Sequence, residues 1–352
     1  MADNDWLAHF DSLILVTGAN GFIGRRVVAR LLELGFSRIR CFVRPSADTA
    51  ILERLASRYP GADLELARGN LISRPDCAEA GSGARIIYHL AAGVSKSYPD
   101  CFTNSVLTTR NLLEVAARTD GFVRFVNVST IAVYTGMGKR WGAPIDEDSE
   151  VERRSHRRGE AYVYGKIKQD QIVERHHLQA GVPYVIVRPG VVYGPGKASV
   201  MGRVGLDTFG FFAHVGGSND LPLTYVENCA DAIVLCGLKK NIDSHTFNVV
   251  DDDLPTCAQF LMQYKRQVRY FPTLRVPYPF LYVFCALWER YSVFSNGQIP
   301  AAFNRMRCAA HWKKRRYSNR KLKQMVGWQP RVSTNDAVRT YFDYKKTGKS
   351  GW

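Results

Sequence analysis

Tyr162 and Lys166 stand four residues apart in Tyr162-Val163-Tyr164-Gly165-Lys166, inside a stretch with helical patterning. On a helix that spacing places both side chains on one face. An isolated phenol titrates near 10, too high for a base at neutral pH. A neighbouring ammonium favours the phenolate and lowers that value. The pair therefore suits proton exchange with a substrate hydroxyl or ketone, and Lys166 could also hold a ribose by hydrogen bonds. Taken alone, such a pair reads as an ordinary surface Tyr–Lys contact. It has company in Val126-Asn127-Val128-Ser129-Thr130, where an apolar run ends in two hydroxyls. A hydroxyl at a strand end can donate to a substrate oxygen and orient it.

These groups need a scaffold, and the start of the chain supplies one. The apolar run Leu13-Ile14-Leu15-Val16 leads into Thr17-Gly18-Ala19-Asn20-Gly21-Phe22-Ile23-Gly24, and a helical pattern follows from Arg25 to Leu34. Strand, glycine-rich turn and helix, in that order, are the context a dinucleotide fingerprint requires. Gly18 makes the tight turn, Gly21 lets the backbone approach a pyrophosphate, and Gly24 lets the helix pack closely on the sheet. The helix start then offers N–H groups and a dipole to phosphates.

Strand-like and helix-like segments alternate through the first half. Strands are predicted at Arg38–Val43, Leu64–Ala67, Arg85–Leu90, Phe122–Val128 and Tyr184–Arg188, and long helices at Pro99–Arg118 and Glu160–Ala180. This alternation means βαβ crossovers, and hence an α/β fold of the Rossmann type with a doubly wound parallel sheet. Beyond residue 190 the alternation loosens. Helices are predicted at Glu227–Leu238, Thr256–Arg266, Pro279–Tyr291 and Asn319–Val326, with a strand at Thr246–Val250. Residues 1–190 therefore read as a NAD(P)-binding domain, and 191–352 as a smaller substrate lobe interleaved with the sheet.

With these motifs in hand, the chain resembles the extended short-chain dehydrogenase/reductase superfamily, of the NAD-dependent epimerase/dehydratase type. The resemblance extends to His89-Leu90-Ala91-Ala92, to Arg188-Pro189-Gly190-Val191-Val192-Tyr193-Gly194-Pro195-Gly196 and to Gly327-Trp328-Gln329-Pro330. It implies that Tyr162 is the acid/base and Lys166 its activator and ribose ligand. It implies Thr130 as the catalytic hydroxyl, with Ser129 as the fallback, and Asn104 as the helix asparagine that orders a proton-relay water. Asn104 reads equally well as a plain helix polar residue. Ala91 and Ala92 would line the cofactor, Pro189 to Val191 would sit near the nicotinamide, and the two long helices would make a homodimer. The remaining cofactor candidates come from the glycine-rich turn: Gly18, Asn20, Gly21, Phe22, Ile23 and Gly24.

The chain departs from the family pattern in three places. Gly69-Asn70-Leu71 replaces Gly-Asp after the third strand, and an asparagine can still hydrogen-bond adenine. Gly165 stands where serine is frequent, and Thr135 replaces a common glycine. Cofactor choice rests on Phe42-Val43-Arg44-Pro45-Ser46. An acid at the end of the second strand holds a ribose 2′-hydroxyl, whereas an arginine accommodates a 2′-phosphate. No acid occurs before Asp48, so Arg44 favours NADP(H) over NAD(H).

The 352 residues carry a net charge of +16. Much of it lies in Arg153, Arg154, Arg157 and Arg158 and in the run from Arg305 to Lys323. Such a balance suits anionic partners: nucleotide diphosphates, acidic membrane or nucleic acid, the last ranked lowest for want of any nucleic-acid-binding signature. A merely solvated basic face is an equal alternative. The 8 cysteines show no C-x-x-C spacing and no grouping with histidine, so a metal site is not expected and reduced thiols are. Met1 to Ser12 lacks the pattern of a signal peptide, which points to the cytoplasm.

Two substrate classes fit. One is a nucleotide-diphosphate sugar, epimerised, dehydrated or reduced. The other is a sterol or lipid-like alcohol, since the C-terminal third resembles the 3β-hydroxysteroid-dehydrogenase-like branch. The apolar segment Val276–Trp288 is shorter than a bilayer span. It reads either as a helix lying on an anionic membrane or, by slight preference, as a buried lobe helix. A non-catalytic NADP-binding regulator is a third reading, against which the intact Tyr162, Lys166 and Thr130 argue.

Overall fold

The structure is a computed structural model that describes residues 6–348 apart from 139, 198–199, 209, 297 and 300–301. Of the N-terminal stretch, residues 1–5 lie outside the described residues. Its centre is a seven-stranded sheet: β1 (Ile14–Thr17), β2 (Arg38–Val43), β3 (Asp63–Arg68), β4 (Ile86–His89), β5 (Arg124–Val128), β6 (Tyr184–Pro189) and β7 (His245–Val249). Their order across the sheet is β7-β6-β5-β4-β1-β2-β3, all neighbours parallel. The order reverses between β1 and β4, which makes their carboxyl ends the place for a ligand.

Both faces of this sheet are buried, which is why β1, β4 and β6 read as near-continuous apolar runs rather than alternating ones, and in β5 the polar Arg124 and Asn127 are buried as well. Ile14, Val16, Ile86, Tyr88, Val126, Val185 and Val187 pack with helices Gly24–Glu33, Ala50–Arg58 and Val226–Leu238 on one side. Leu15, Ile87, Phe125 and Ile186 pack with helices Arg74–Gly81, Thr108–Ala116 and Ala161–Ala180 on the other.

Two predicted elements differ in a way that matters for the site. The long helix expected over Pro99–Arg118 is interrupted. Helical turns at Tyr98–Cys101 and Thr108–Ala116 flank a π-helical segment at Phe102–Leu107. π-helical turns recur at functional sites, and this one carries Asn104. Helix Ala161–Ala180 crosses it closely at Gly165, where a Cβ would lie 3.1 Å from the Cys101 carbonyl oxygen and 3.4 Å from Ser105 Oγ. That contact accounts for glycine in place of serine. The second difference is the segment around Val276–Trp288. It forms helix Tyr278–Phe294 and is not a buried lobe helix: Phe280, Leu287 and Phe294 are 73, 60 and 83% exposed.

The chain beyond β6 also supplies β7 at the sheet edge, two small sheets and one strand of a third. These pair Val191–Tyr193 with Leu223–Tyr225, Gly205–Thr208 and Thr273–Arg275 with Phe211–His214, and Pro144–Ile145 with Arg316–Tyr317. Helices Arg305–Trp312 and Thr334–Thr347 complete the lobe. Its two apolar cores centre on Phe260, Tyr341 and Phe342 and on Leu281, Cys285 and Trp312.

Candidate functional site

The glycine-rich turn is built as a phosphate cradle. Gly18 sits at φ +66°, a left-handed conformation that other residues adopt at a cost. A Cβ on Gly24 would fall 2.1 Å from the Gly18 carbonyl oxygen, so only glycine lets the helix start this close to the strand end. No side chain caps helix Gly24–Glu33 and no acid occupies its first turn. The helix terminus is thus left to an outside anion. The buried Arg26 locks the turn from behind, donating to the Phe22 carbonyl at 2.8 Å, the Pro195 carbonyl at 3.2 Å and Glu227 Oε1 at 2.8 Å.

In front of the turn lies a cavity of about 370 Å³. Gly18, Asn20, Gly21, Arg44, Asn70, Leu71, Ala91, Ala92 and Asn104 all line it. The structure thereby brings together most of the cofactor candidates at the carboxyl ends of β1, β2 and β4. The exposed Arg44 stands at its rim, and Asp48 is engaged in accepting from the Ala50 N–H at 3.0 Å. Asn70 accepts from the Ile72 N–H through Oδ1 at 3.1 Å, which leaves its amide N–H groups to meet an adenine acceptor. Phe22, Ile23, Gly24, Tyr162, Lys166, Pro189 and Val191 do not line this cavity. Phe22 turns toward the lobe, with Arg26 and Lys197 over its ring. Pro189 ends β6, and Val191 hydrogen-bonds from its N–H to the Pro222 carbonyl at 2.7 Å. The cradle, the cavity and the uncapped helix start fit a dinucleotide.

Tyr162 opens helix Ala161–Ala180 and packs among Val133, Val163 and Ile167. Burial, with the Asp170 and Cys101 charges adding to it, pushes its phenol up to about 12. The expectation that Lys166 lowers this value is not met. Lys166 Nζ donates instead to the Val128 carbonyl at 2.6 Å and to Gln169 Oε1 at 2.9 Å. Its ammonium is aimed at the end of β5 rather than at the phenol, and burial brings it down to about 8.

Ser129 and Thr130 follow β5 and differ in what their hydroxyls do. Ser129 Oγ donates to Asp170 Oδ2 at 2.9 Å, so its proton is committed. Thr130 Oγ1 accepts from the Ala132 N–H at 3.2 Å, capping the turn Ile131–Val133, and its own proton can go to a substrate. Asn104 Nδ2 donates to the carbonyl and the carboxylate of Asp100 at 3.1 and 2.7 Å, which fixes its orientation on the π-helical turn.

Beneath these groups lie buried residues that sequence reasoning missed. Asp170 collects Asn127 Nδ2 at 2.8 Å, the Ser129 hydroxyl and Arg188 at 3.1 Å. Burial raises its pKa, while the Arg188 charge and the Ser129 hydrogen bond pull it back, and three converging donors mark it as a carboxylate. A sequence signal existed: Asp170 continues the series Tyr162, Lys166, Asp170 at four-residue spacing. A second chain runs from Lys166 through Gln169 to Thr109, His89 and Thr17. Thr109 already donates to the Ser105 carbonyl, so it accepts from His89 Nε2, and Thr17 donates to His89 Nδ1. His89 is accordingly a neutral Nε2–H imidazole, and burial pulls its pKa down to about 3.

The lobe is bolted to the same helix. Glu160, at the helix N-cap, accepts from Arg158 and from His311 Nε2, the latter at 2.8 Å. Burial would raise the Glu160 pKa, but the His311 hydrogen bond and the Arg158 charge hold it well below the usual range. Arg158 also reaches the Ala132 carbonyl at 2.5 Å. Arg158 and Arg315, read as members of basic clusters open to anionic partners or to solvent, are buried structural groups. Between this junction and helix Tyr278–Phe294 opens a cleft of about 1600 Å³, with Arg153, Arg154, Arg157 and Arg290 beside Val283 and Leu287.

Comparison with known proteins agrees with this geometry. The model of the NAD dependent epimerase/dehydratase family matches residues 14–249. An uncharacterized UDP-glucose epimerase, YtcB, of Bacillus subtilis (strain 168) is 28% identical over 255 residues, 67% of this chain and 76% of that one. Sterol demethylase protein B of Methylococcus capsulatus (strain ATCC 33009 / NCIMB 11132 / Bath) is 31% identical over 211 residues, 57% of either chain. The UDP-glucuronic acid 4-epimerase of Bacillus cereus, solved in complex with NAD, shares the fold at TM-score 0.67 and 20% identity, covering 96% of this chain and 99% of that one. The family match takes in the whole seven-stranded sheet, from the first residue of β1 to the last of β7, and so the chain belongs to the NAD-dependent epimerase/dehydratase family and is an NAD(P)-dependent enzyme of the extended short-chain dehydrogenase/reductase type.

Proposed function

We propose that the protein moves a hydride between a CH–OH or ketone carbon and NADP(H), on a nucleotide sugar that it epimerises, dehydrates or reduces. The bound dinucleotide supplies the hydride acceptor or donor at nicotinamide C4. The chain supplies the rest. Tyr162 takes the hydroxyl proton as the carbon–oxygen bond becomes a carbonyl, and returns it in reduction. Thr130 donates to the reacting oxygen, Lys166 binds ribose and holds the end of β5, and Asn104 serves proton relay. Residues 1–190 bind the dinucleotide, 191–352 form most of the substrate lobe, interleaved with the sheet, and two chains pair through the segments Pro99–Arg118 and Glu160–Ala180 as a homodimer.

The observation that carries the nucleotide-sugar reading is the presence of Arg153, Arg154 and Arg157 on the large cleft, with Arg290 on helix Tyr278–Phe294, cations suited to a diphosphate. Val283, Ala286, Leu287 and Val293, on the same helix as Arg290, support the second reading, an alcohol or ketone of sterol or lipid character. Incubation with UDP-glucose or UDP-glucuronic acid and either dinucleotide should give a new sugar nucleotide by mass spectrometry. Conversion of a sterol ketone alone would move the assignment to the second reading.

Arg44→Ala tests the cofactor. A charge-assisted contact to a 2′-phosphate contributes about 1.5–3 kcal/mol, so NADP affinity should fall roughly 10- to 100-fold while NAD affinity changes little. Equal losses for both in calorimetric titration would remove Arg44 from that role.

A further inference from the structure

Helix Tyr278–Phe294 carries an uncovered apolar stripe. Phe280, Val283, Phe284, Leu287, Tyr291 and Phe294 recur at the helical period and are 43 to 83% exposed, while Leu281, Cys285 and Ser292 on the opposite side are buried. Glu289 and Arg290 are the helix's two charged residues. Glu289 lies off the stripe and is engaged by the backbone N–H and Nε of Arg305, each at 2.7 Å. The exposed Arg290 borders the stripe. Leu274 and Arg275 are exposed just ahead of the helix, and Trp141, 56% exposed, rests on Tyr278 with ring centroids 5.2 Å apart.

We propose that this face docks on an anionic lipid surface, with the helix lying in the plane of the interface. An exposed apolar surface rich in aromatic rings, with arginine at its edge, suits the boundary between headgroups and acyl chains, rings at the interface level and cations toward lipid phosphates. The stripe bears no carboxylate to repel lipid phosphates, and the chain as a whole carries +16. No helix of the described residues is long and apolar enough to cross a membrane, so this one lies on the surface. A second copy is a poorer occupant, because a two-fold pairing of this stripe would set the Arg275 and Arg290 of each copy near those of the other. Val283 and Leu287 belong both to the stripe and to the wall of the 1600 Å³ cleft, so the docked face and the cleft are contiguous.

The test is co-sedimentation of the full chain with vesicles of phosphatidylcholine plus phosphatidylglycerol, against phosphatidylcholine alone, at low and high salt. Retention should require the anionic lipid and weaken with salt. Phe280→Ser combined with Phe294→Ser should lower the partition coefficient roughly tenfold or more. Arg275→Gln should lower it roughly fivefold. Both phenylalanines are exposed and lie off the dinucleotide cavity, so a dinucleotide titration of the double variant should match the parent and report its folding. No retention on anionic vesicles would overturn the proposal. So would undiminished retention of the phenylalanine variant, since bulk positive charge would then explain binding. Light scattering in which that variant turns a dimer into a monomer would assign the face to a second copy instead.

Discussion

Replacing Tyr162 with phenylalanine should lower turnover by about 10²–10⁴-fold, the usual contribution of a positioned acid or base, and leave dinucleotide affinity within a factor of about two. The substitution removes one oxygen and keeps the ring among Val133, Val163 and Ile167, so the fold has no reason to change. Tyr162 lies off the 370 Å³ cavity that collects the glycine turn, Arg44 and Asn70, so adenosine binding keeps its contacts. The check is steady-state turnover beside a fluorescence titration with the dinucleotide. A variant that turns over at the parental rate would remove Tyr162 from the chemistry. One that no longer binds dinucleotide would show that the hydroxyl serves structure instead.

The parts of this site that were legible in the sequence are those whose signal is local. The glycine turn announces itself because strand, turn and helix follow within a few residues and because Gly18 and Gly24 meet each other. Tyr162 and Lys166 share a helix turn. The buried network was not legible, because its partners are far apart along the chain. Asp170 meets Asn127 and Ser129 across 43 and 41 residues, and His89 meets Thr17 across 72. The basic runs misled for the same reason. Arg158 and Arg315 carry the same charge in the sequence as Arg153 and Lys314, and only tertiary packing buries them. The π-helical interruption at Phe102–Leu107 leaves no mark in the apolar spacing, which continues through it. Helix Tyr278–Phe294 is greasy nearly all round, so its pattern could not say which side the lobe would cover. The missed helices Arg305–Trp312 and Thr334–Thr347 are short amphipathic segments dense in polar residues, where the apolar stripe is too sparse to stand out.

Asp170→Ala should destabilise the fold by about 3–5 kcal/mol, because removing one partner of a buried ion pair leaves the other charge uncompensated. Arg188 is 4% exposed, and among the described residues Asp170 is the carboxylate that pairs with it. The face of the Tyr134 ring, 5.0 Å from the guanidinium, offers much less. The loss would spread to the site. Ser129 would lose its acceptor and Asn127 its partner, both at the end of β5 where Lys166 also anchors. Urea unfolding at neutral pH measures the effect. A loss below about 1 kcal/mol would mean that Arg188 finds other solvation and that the carboxylate is not what orders this strand end. Asp170→Asn distinguishes charge from shape. The carboxamide fits the same space and can re-pair with the Ser129 hydroxyl and the Asn127 amide, but it carries no charge to offset Arg188, so it should recover only part of the stability. If Asp170→Asn were as stable as the parent, the pair would be held by packing, and the case for a carboxylate that fixes Ser129 and leaves Thr130 to meet the substrate would fail.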